Sequence, residues 1–133
     1  MTVKLQGRRI AKRVASGEAL VSTQGISFYG GVDPETGVVV EKGHELEGRS
    51  ITGKVLVFPN GKGSTVGSYV LYQLAKTKKA PVAIINRECE TIVAVGCIIG
   101  DIPAVDKIPI EKIKTGNQLR IDATKNPSIV EIR

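Results

Sequence analysis

The chain has 133 residues, of which 41% are hydrophobic and 24% are charged, an ordinary balance for a globular protein. That length suffices to bury a core without disulfides or a structural metal, so we predict one domain over residues 1–133. Nineteen basic residues against thirteen acidic ones give a net charge of +6, which favours an anionic ligand or partner. The basic residues are dispersed, and no aromatic side chains alternate with them for base stacking. We therefore expect a small anion as the ligand, and no binding to nucleic acid.

Cysteine content and apolar runs bear on metal binding and on location. Cys89 and Cys97 are the only cysteines, whereas an iron–sulfur cluster or a structural zinc ion needs three or four ligands. We predict two buried free thiols, so that any metal chemistry would need ligands from another chain. Residues 1–5 lack the apolar core of a signal peptide, and the longest apolar run, Ile92 to Ile99, is too short to cross a bilayer. The expected location is the cytoplasm, away from the membrane.

The first half of the chain predicts short strands around a long loop. Residues 3–5 predict a strand, residues 7–12 a second strand or the turn into one, and residues 18–21 a strand preceded by a turn at Ser16 and Gly17.

The loop at residues 22–37 is long for a plain connection, and long loops in compact domains are often functional. A short strand is predicted inside it at residues 26–29. The adjacent Gly30 and Gly31 favour either a functional loop or only a tight backbone path, and both interpretations stay open.

His44, the only histidine, lies in a polar turn and is expected at the surface.

The second half predicts a strand, a helix and a further strand in succession. Residues 51–58 form an apolar run whose end predicts a strand buried on both faces. Apolar residues at helical spacing predict an amphipathic helix over Val66 to Lys76. Pro81 ends the helical pattern and precedes a strand at residues 82–85. Together they predict a βαβ crossover.

The remaining apolar runs predict strands, joined by an irregular connection at residues 101–105. Residues 92–99 are expected to form a further buried strand, and residues 119–122 and 129–132 a closing hairpin. The fold predicted from all these elements is a β-rich α+β domain with a barrel-like core and one main helix.

The segment from Phe58 to Ser68 joins a strand to a helix through a glycine-rich loop. Free N–H groups and the positive end of the helix dipole would gather there, together with Lys62 and a predicted N-cap at Ser64 or Thr65. The segment does not match the nucleotide P-loop or the dinucleotide fingerprint in its glycine and lysine spacing. It could be a capped tight turn or an anion site with Ser64 as a reacting group.

Two spaced motifs in this order give the chain a family resemblance. GGVDPETG at residues 30–37 and GKVLVFPNGKGSTVGS at residues 53–68 resemble the aconitase X swivel domain, and the likeness extends over nearly the whole chain. The resemblance implies a swivelling β/β/α fold, the mobile domain of aconitase-type hydro-lyases, here present as a separate subunit.

The resemblance, which is closer still to archaeal small subunits of the family, also implies an activity. Such subunits work with a large subunit that carries a [4Fe–4S] cluster, as a heterodimer or larger assembly. The implied reaction dehydrates (R)-5-phosphomevalonate, a phosphorylated carboxylic acid, to trans-anhydromevalonate 5-phosphate in the archaeal mevalonate route to isoprenoids. The family's proton-accepting serine falls on Ser64. The implied substrate-binding residues are Lys62, Gly61, Gly63, Gly30, Gly31 and Asp33.

Two alternatives remain at this point. A hydroxyproline-type dehydratase would use a similar swivel domain on a substrate without phosphate, and a non-catalytic module would use the glycine loop only to hold an anion. The role of Lys62 is also open, because its charge could stabilise a Ser64 alkoxide or bind a substrate anion.

Overall fold

The computed structural model describes residues 2–133 and contains a closed barrel of seven strands. The strands are β1 Val3–Ala11, β2 Val14–Val21, β3 Val55–Phe58, β4 Ala83–Asn86, β5 Ala104–Asp106, β6 Gln118–Asp122 and β7 Ser128–Ile132. The helices are α1 Phe28–Gly31, α2 Gly67–Lys76 and α3 Thr91–Ile99, with a 3₁₀ helix at Ile110–Lys112. The β-rich α+β fold with a barrel-like core is confirmed. In the part of the chain described, no helix is long and apolar enough to span a membrane.

The barrel has a parallel part and an antiparallel part, closing in the order β1-β5-β4-β3-β2-β6-β7. Strands β2 to β5 pair in parallel, whereas β1, β6 and β7 pair antiparallel with their neighbours. Helix α2 connects β3 to the parallel strand β4, as the predicted βαβ crossover requires. The carboxyl ends of the parallel strands therefore lie at one edge of the barrel, where the segments that follow them meet.

Alternate residues of the parallel strands face two separate apolar cores. Val55 and Val57 belong to a cluster that draws residues from every strand and fills the barrel. Leu56 and Phe58 belong to a second cluster, which packs β3 against α2 and α3. Every residue of β3 is buried, as predicted, because strand side chains alternate between faces and both faces are covered.

Several predicted boundaries at the start of the chain are wrong. Residues 3–5 and 7–11 belong to the single strand β1, which ends one residue before the second predicted strand does, and Ser16 and Gly17 lie inside β2, where they pair with β6. The strand predicted from residue 51 begins at Val55. In the predicted strand at residues 26–29, only Ile26 forms a β-bridge, and α1 begins two residues later.

The apolar run at residues 92–99 is a helix, α3, and the prediction of a strand is wrong. Glu90 caps this helix, since its side chain accepts hydrogen bonds from the N–H groups of Ile92 and Val93, both at 2.8 Å. Gly96 allows close packing against α2, since a Cβ there would lie 2.6 Å from Leu71 Cδ1. An apolar run of this length does not distinguish a strand from a buried helix, so the fold has two main helices instead of one.

One ion pair joins β1 to β5 across the antiparallel ladder between them. Arg8 and Asp106 are opposite each other in register, and their side chains form two hydrogen bonds of 2.9 and 2.7 Å. The Asp106 side chain is fully buried and also accepts a hydrogen bond from the Cys89 N–H at 2.8 Å. Asp106 thus fixes the segment that leads into α3.

We predict that Asp106→Asn lowers the free energy of unfolding by about 2 kcal/mol, because a buried charge-assisted pair is lost. Asp101→Asn is the matched control: Asp101 pairs with Arg13 at 3.7 Å, and both side chains are mostly exposed. Its effect should stay below about 0.5 kcal/mol. Urea unfolding of both variants measures the difference, and equal effects would show that the Arg8–Asp106 pair contributes no more than a surface pair.

Candidate active site

The glycine loop after β3 packs closely against neighbouring residues on two sides, so Gly61 and Gly63 have no room for side chains. A Cβ at Gly61 would lie 2.5 Å from Val93 Cγ2 and would overlap the carboxylate of Glu90. A Cβ at Gly63 would overlap the Oγ of Ser27. Both positions therefore require glycine, and Gly63 also has a positive φ of 93°.

Backbone hydrogen bonds hold this loop against the segment that precedes α1. The Lys62 N–H donates to Ile26 O at 3.0 Å, and the Ile26 N–H donates to Asn60 O at 3.3 Å. The start of the loop is held by the residues that follow β4, since the N–H groups of Arg87 and Glu88 both donate hydrogen bonds to Pro59 O at 3.1 Å. The loop is thus fixed on both sides at the carboxyl edge of the barrel.

Ser64 is exposed, and its Oγ accepts a hydrogen bond from the Val66 N–H at 3.1 Å. Helix α2 has Val66 as its N-cap and no side-chain cap, so the predicted N-cap at Ser64 or Thr65 is wrong. The Gly67 N–H donates a hydrogen bond to Ser64 O at 3.0 Å, so this N–H group at the start of the helix has an acceptor nearby in the chain. The exposed Ser64 hydroxyl therefore lies just before the positive end of the helix dipole.

Three successive N–H groups precede that turn, on Gly63, Ser64 and Thr65. Within residues 2–133 they donate to no protein acceptor. Unpartnered N–H groups that follow a residue of positive φ form a concave anion site. The loop thus combines an exposed hydroxyl with donors suited to a negatively charged oxygen.

Lys62 is joined to the loop at residues 30–37 through Glu41. Its Nζ lies 3.1 Å from Glu41 Oε2, and a Cβ at Gly31 would lie 3.2 Å from Glu41 Oε1. The structure thus brings Lys62 and Gly31 to one carboxylate. Glu41 was missed from the sequence, because no motif marks a glutamate 21 positions from its partner.

Gly30 and Asp33 line a groove of about 370 Å³ with Tyr29, Val66 and Tyr69. The Asp33 carboxylate accepts a hydrogen bond from the Glu35 N–H at 2.9 Å, which caps its own turn. The groove places these two residues beside the start of α2, and their part in substrate binding stays a prediction.

His44 is buried, so its predicted place at the surface is wrong. Its Nδ1 accepts a hydrogen bond from the Leu46 N–H at 3.0 Å, which leaves the proton on Nε2 to donate to Gly25 O at 3.1 Å. Both ring nitrogens are used in holding the backbone after β2. His44 is thus a structural residue and not a general base.

Glu45, also missed from the sequence, holds the segment that follows β2. Its carboxylate accepts hydrogen bonds from the Ser22 hydroxyl at 2.7 Å and from the N–H groups of Thr23 and Gln24. The Ser22 bond, aided by the backbone donors, lowers the pKa of Glu45. A lowered pKa means that this carboxylate stabilises the fold above its unfolded pKa and loses that contribution as the pH falls through its folded pKa.

The two cysteines are free and do not form a metal site. Burial, with help from the nearby Asp106 and Glu90 carboxylates, raises the pKa of Cys89 to about 12. Complete burial raises the pKa of Cys97 well above its ordinary value. Both thiols stay protonated, whereas metals bind thiolates. Across residues 2–133, no group of three or more His, Cys, Asp or Glu side chains could hold a metal ion, so an iron–sulfur cluster does not fit this chain alone.

Gly63→Ala and Gly43→Ala provide a test of the crowding at the loop. Both glycines have positive φ, but a Cβ at Gly43 would meet nothing within 4 Å. We predict that each variant loses about 1 kcal/mol of unfolding free energy from backbone strain, and that Gly63→Ala loses about 1–3 kcal/mol more from overlap with Ser27. Adding Ser27→Gly should remove that excess in urea unfolding. Equal losses for the two single variants would contradict the close contact.

Comparisons with known proteins identify the family of the chain. A family model described as the aconitase X swivel domain matches residues 4–132. A protein of Thermococcus kodakarensis named phosphomevalonate dehydratase small subunit is 58% identical over 121 residues, which cover 91% of each chain. One of the same name from Methanosarcina acetivorans is 58% identical over 126 residues, which cover 92% of this chain and 88% of that protein.

A solved structure extends the likeness to the fold. The crystal structure of Thermococcus kodakaraensis aconitase X in its holo-form matches with a TM-score of 0.95 at 56% identity and covers 98% of each chain. Since the family model spans nearly the whole chain and close relatives share more than half of its residues, this chain belongs to the aconitase X swivel domain family.

Proposed function

We propose that this chain is the small subunit of a phosphomevalonate dehydratase. The enzyme would be a hydro-lyase that removes water from (R)-5-phosphomevalonate to give trans-anhydromevalonate 5-phosphate. Relatives of that name, 53–58% identical over most of the chain, support the reaction. The observation that carries the role of this chain is the exposed Ser64 hydroxyl beside the unpartnered N–H groups of the glycine loop.

Ser64 is proposed as the base that takes a proton from the substrate carbon next to the one that loses its hydroxyl. The two electrons of the C–H bond form the double bond as the C–O bond breaks, and the hydroxyl leaves as hydroxide with the C–O electrons. Ser64 then releases its proton to solvent, so that hydroxide and proton together account for the one water molecule lost. A serine hydroxyl is a poor base unless its alkoxide is stabilised. The Val66 N–H donates to the Oγ at 3.1 Å, and the positive end of the α2 dipole lies behind it, so both favour the charged oxygen.

The other half of the site is proposed to lie on a larger partner subunit. No metal-binding group occurs in the described part of the chain, and the relatives are named small subunits. A [4Fe–4S] cluster held by that partner would supply Lewis acid chemistry at the leaving hydroxyl. The chain is then inactive alone, and the expected site of the reaction is the cytoplasm. Its net charge of +6 suits a substrate with a phosphate and a carboxylate.

Ser64→Ala should lower kcat of the reconstituted two-chain enzyme by about 10²–10⁴-fold, the usual contribution of a positioned base. KM and complex formation should change little, because the hydroxyl acts mainly in the transition state. Ser16→Ala, in β2 and distant in sequence from the glycine loop, is the control and should keep full activity. Steady-state dehydration of (R)-5-phosphomevalonate measures both variants. Full activity of Ser64→Ala would exclude the role of proton acceptor.

Lys62 is proposed to bind a substrate anion, with Glu41 holding its ammonium in place when no substrate is bound. The Lys62 side chain is 51% exposed and that of Glu41 is 30% exposed. A pair so open to water can exchange its carboxylate for a phosphate at little expense in free energy. Glu41 therefore positions Lys62 and competes with substrate for it.

Lys62→Ala should raise KM for the phosphorylated substrate more than for an analogue without the phosphate. Glu41→Gln should lower KM for the phosphorylated substrate by at most about fivefold, because the competing charge is removed. The same change should have no effect in a Lys62→Ala background. Steady-state kinetics of the four forms measure these effects. If Lys62→Ala instead lowers kcat equally for both substrates, Lys62 acts on the Ser64 alkoxide.

A further inference from the structure

Helices α2 and α3 carry only one charged side chain between them, Lys76 in the last turn of α2, whose Nζ lies 5.5 Å from the centre of the Tyr72 ring. Residues 65–75 and 91–100 contain no Asp, Glu, Lys or Arg, although 24% of the whole chain is charged. Both helices bury one face against the sheet and each other through Leu71, Leu74 and Val93. The opposite face is therefore exposed, and the charged side chains that normally cover a surface helix are almost absent from it.

Large apolar side chains are concentrated on and beside this face. Tyr69 is 68% exposed, Ile98 57% and Ile99 44%. Of the ten large hydrophobic side chains exposed in the described part of the chain, only Val3 and Val14 lie elsewhere. We call the other eight the helical apolar surface: Tyr29, Val40, Val66, Tyr69, Tyr72, Val95, Ile98 and Ile99.

Two grooves run along this surface on either side of Tyr69. One, of about 370 Å³, lies between Tyr69 and Val40. The other, of about 360 Å³, lies between Tyr69 and Val95. Val66 lines the first groove and Thr65 the second, and these residues directly follow Ser64. The helical apolar surface is thus continuous with the candidate active site.

We propose that the helical apolar surface is where the larger partner subunit docks. This inference rests on the proposed function, since the exposed Ser64 must face the metal-bearing chain and be closed off from water. The surface has the composition of an interface core, namely exposed tyrosines and aliphatic side chains with few charges among them, Asp33 in the first groove and Lys76 beside Tyr72. If a second copy of this chain bound to the same surface, the Ser64 loops of both copies would be covered and substrate would be excluded. The partner subunit is therefore the protein that can bind here and leave Ser64 accessible to substrate.

The test measures the affinity of this chain for its purified large subunit by isothermal titration calorimetry. The double variant Ile98→Lys/Ile99→Lys should bind about 30-fold more weakly or worse, because two charges would be buried in the contact. The double variant Val3→Lys/Val14→Lys is the matched control, since these side chains are 48% and 46% exposed outside the surface. It should bind as the unmodified chain does. Urea unfolding of both variants confirms that each is folded.

Three outcomes decide the proposal. Unchanged affinity of the Ile98→Lys/Ile99→Lys variant, with its fold intact, would overturn it. Equal weakening by the control would also overturn it, since the effect would then come from added charge alone. If light scattering shows that the unmodified chain is a dimer and the surface variant a monomer, with both binding the large subunit equally, the surface belongs to a second copy and the proposal is wrong.

Activity separates this inference from the proposed function. At saturating large subunit, the Ile98→Lys/Ile99→Lys variant should recover the full kcat, because it retains Ser64. Ser64→Ala should bind the large subunit normally and stay inactive at any concentration. Weak binding by the surface variant together with full activity of Ser64→Ala would refute the proposed role of Ser64 and still support the docking surface.

Discussion

The site depends on close backbone contact at two glycines, Gly61 and Gly63. One touches the carboxylate that caps α3, and the other touches Ser27 before α1. Because neither contact leaves room for a side chain, the backbone of the loop is confined to one conformation between Glu90 and Ser27. That path turns the chain into α2 just after Ser64, and three N–H groups at the turn find no acceptor among residues 2–133. The position of the hydroxyl thus follows from packing that involves no substrate.

The barrel brings the parts of this site together from distant positions in the sequence. Parallel pairing of β2, β3 and β4 places the segments that follow them at one edge. Hydrogen bonds through His44 and Glu45 hold the first of these segments, and the Arg8–Asp106 pair fixes the last. The shared active site proposed for Ser64 is therefore a barrel edge that is rigid on the side of this chain and open on the side of its partner.

The sequence predicted the elements whose signals are local. The continuous apolar run of β3, the helical spacing of α2 and the glycine loop between them were all recognised. The assignment of Ser64 as the proton acceptor comes from the family resemblance and stays a prediction. The prediction failed where tertiary contact decides the structure. Residues 92–99 carry no polar residue to reveal a period, so only the cap from Glu90 and the packing of Gly96 on α2 make them a helix. His44 and Glu41 were misplaced or missed because their partners lie about 20 positions away.

The most direct test of the shared active site is a crystal structure of the two-chain enzyme with its substrate bound. If Ser64 is the proton acceptor, its Oγ should lie about 3–3.5 Å from the substrate carbon that loses the proton, the separation of a reactive arrangement. The glycine loop should then face the metal centre of the large subunit. A complex in which Ser64 points to solvent, with another side chain at that carbon, would contradict the assignment.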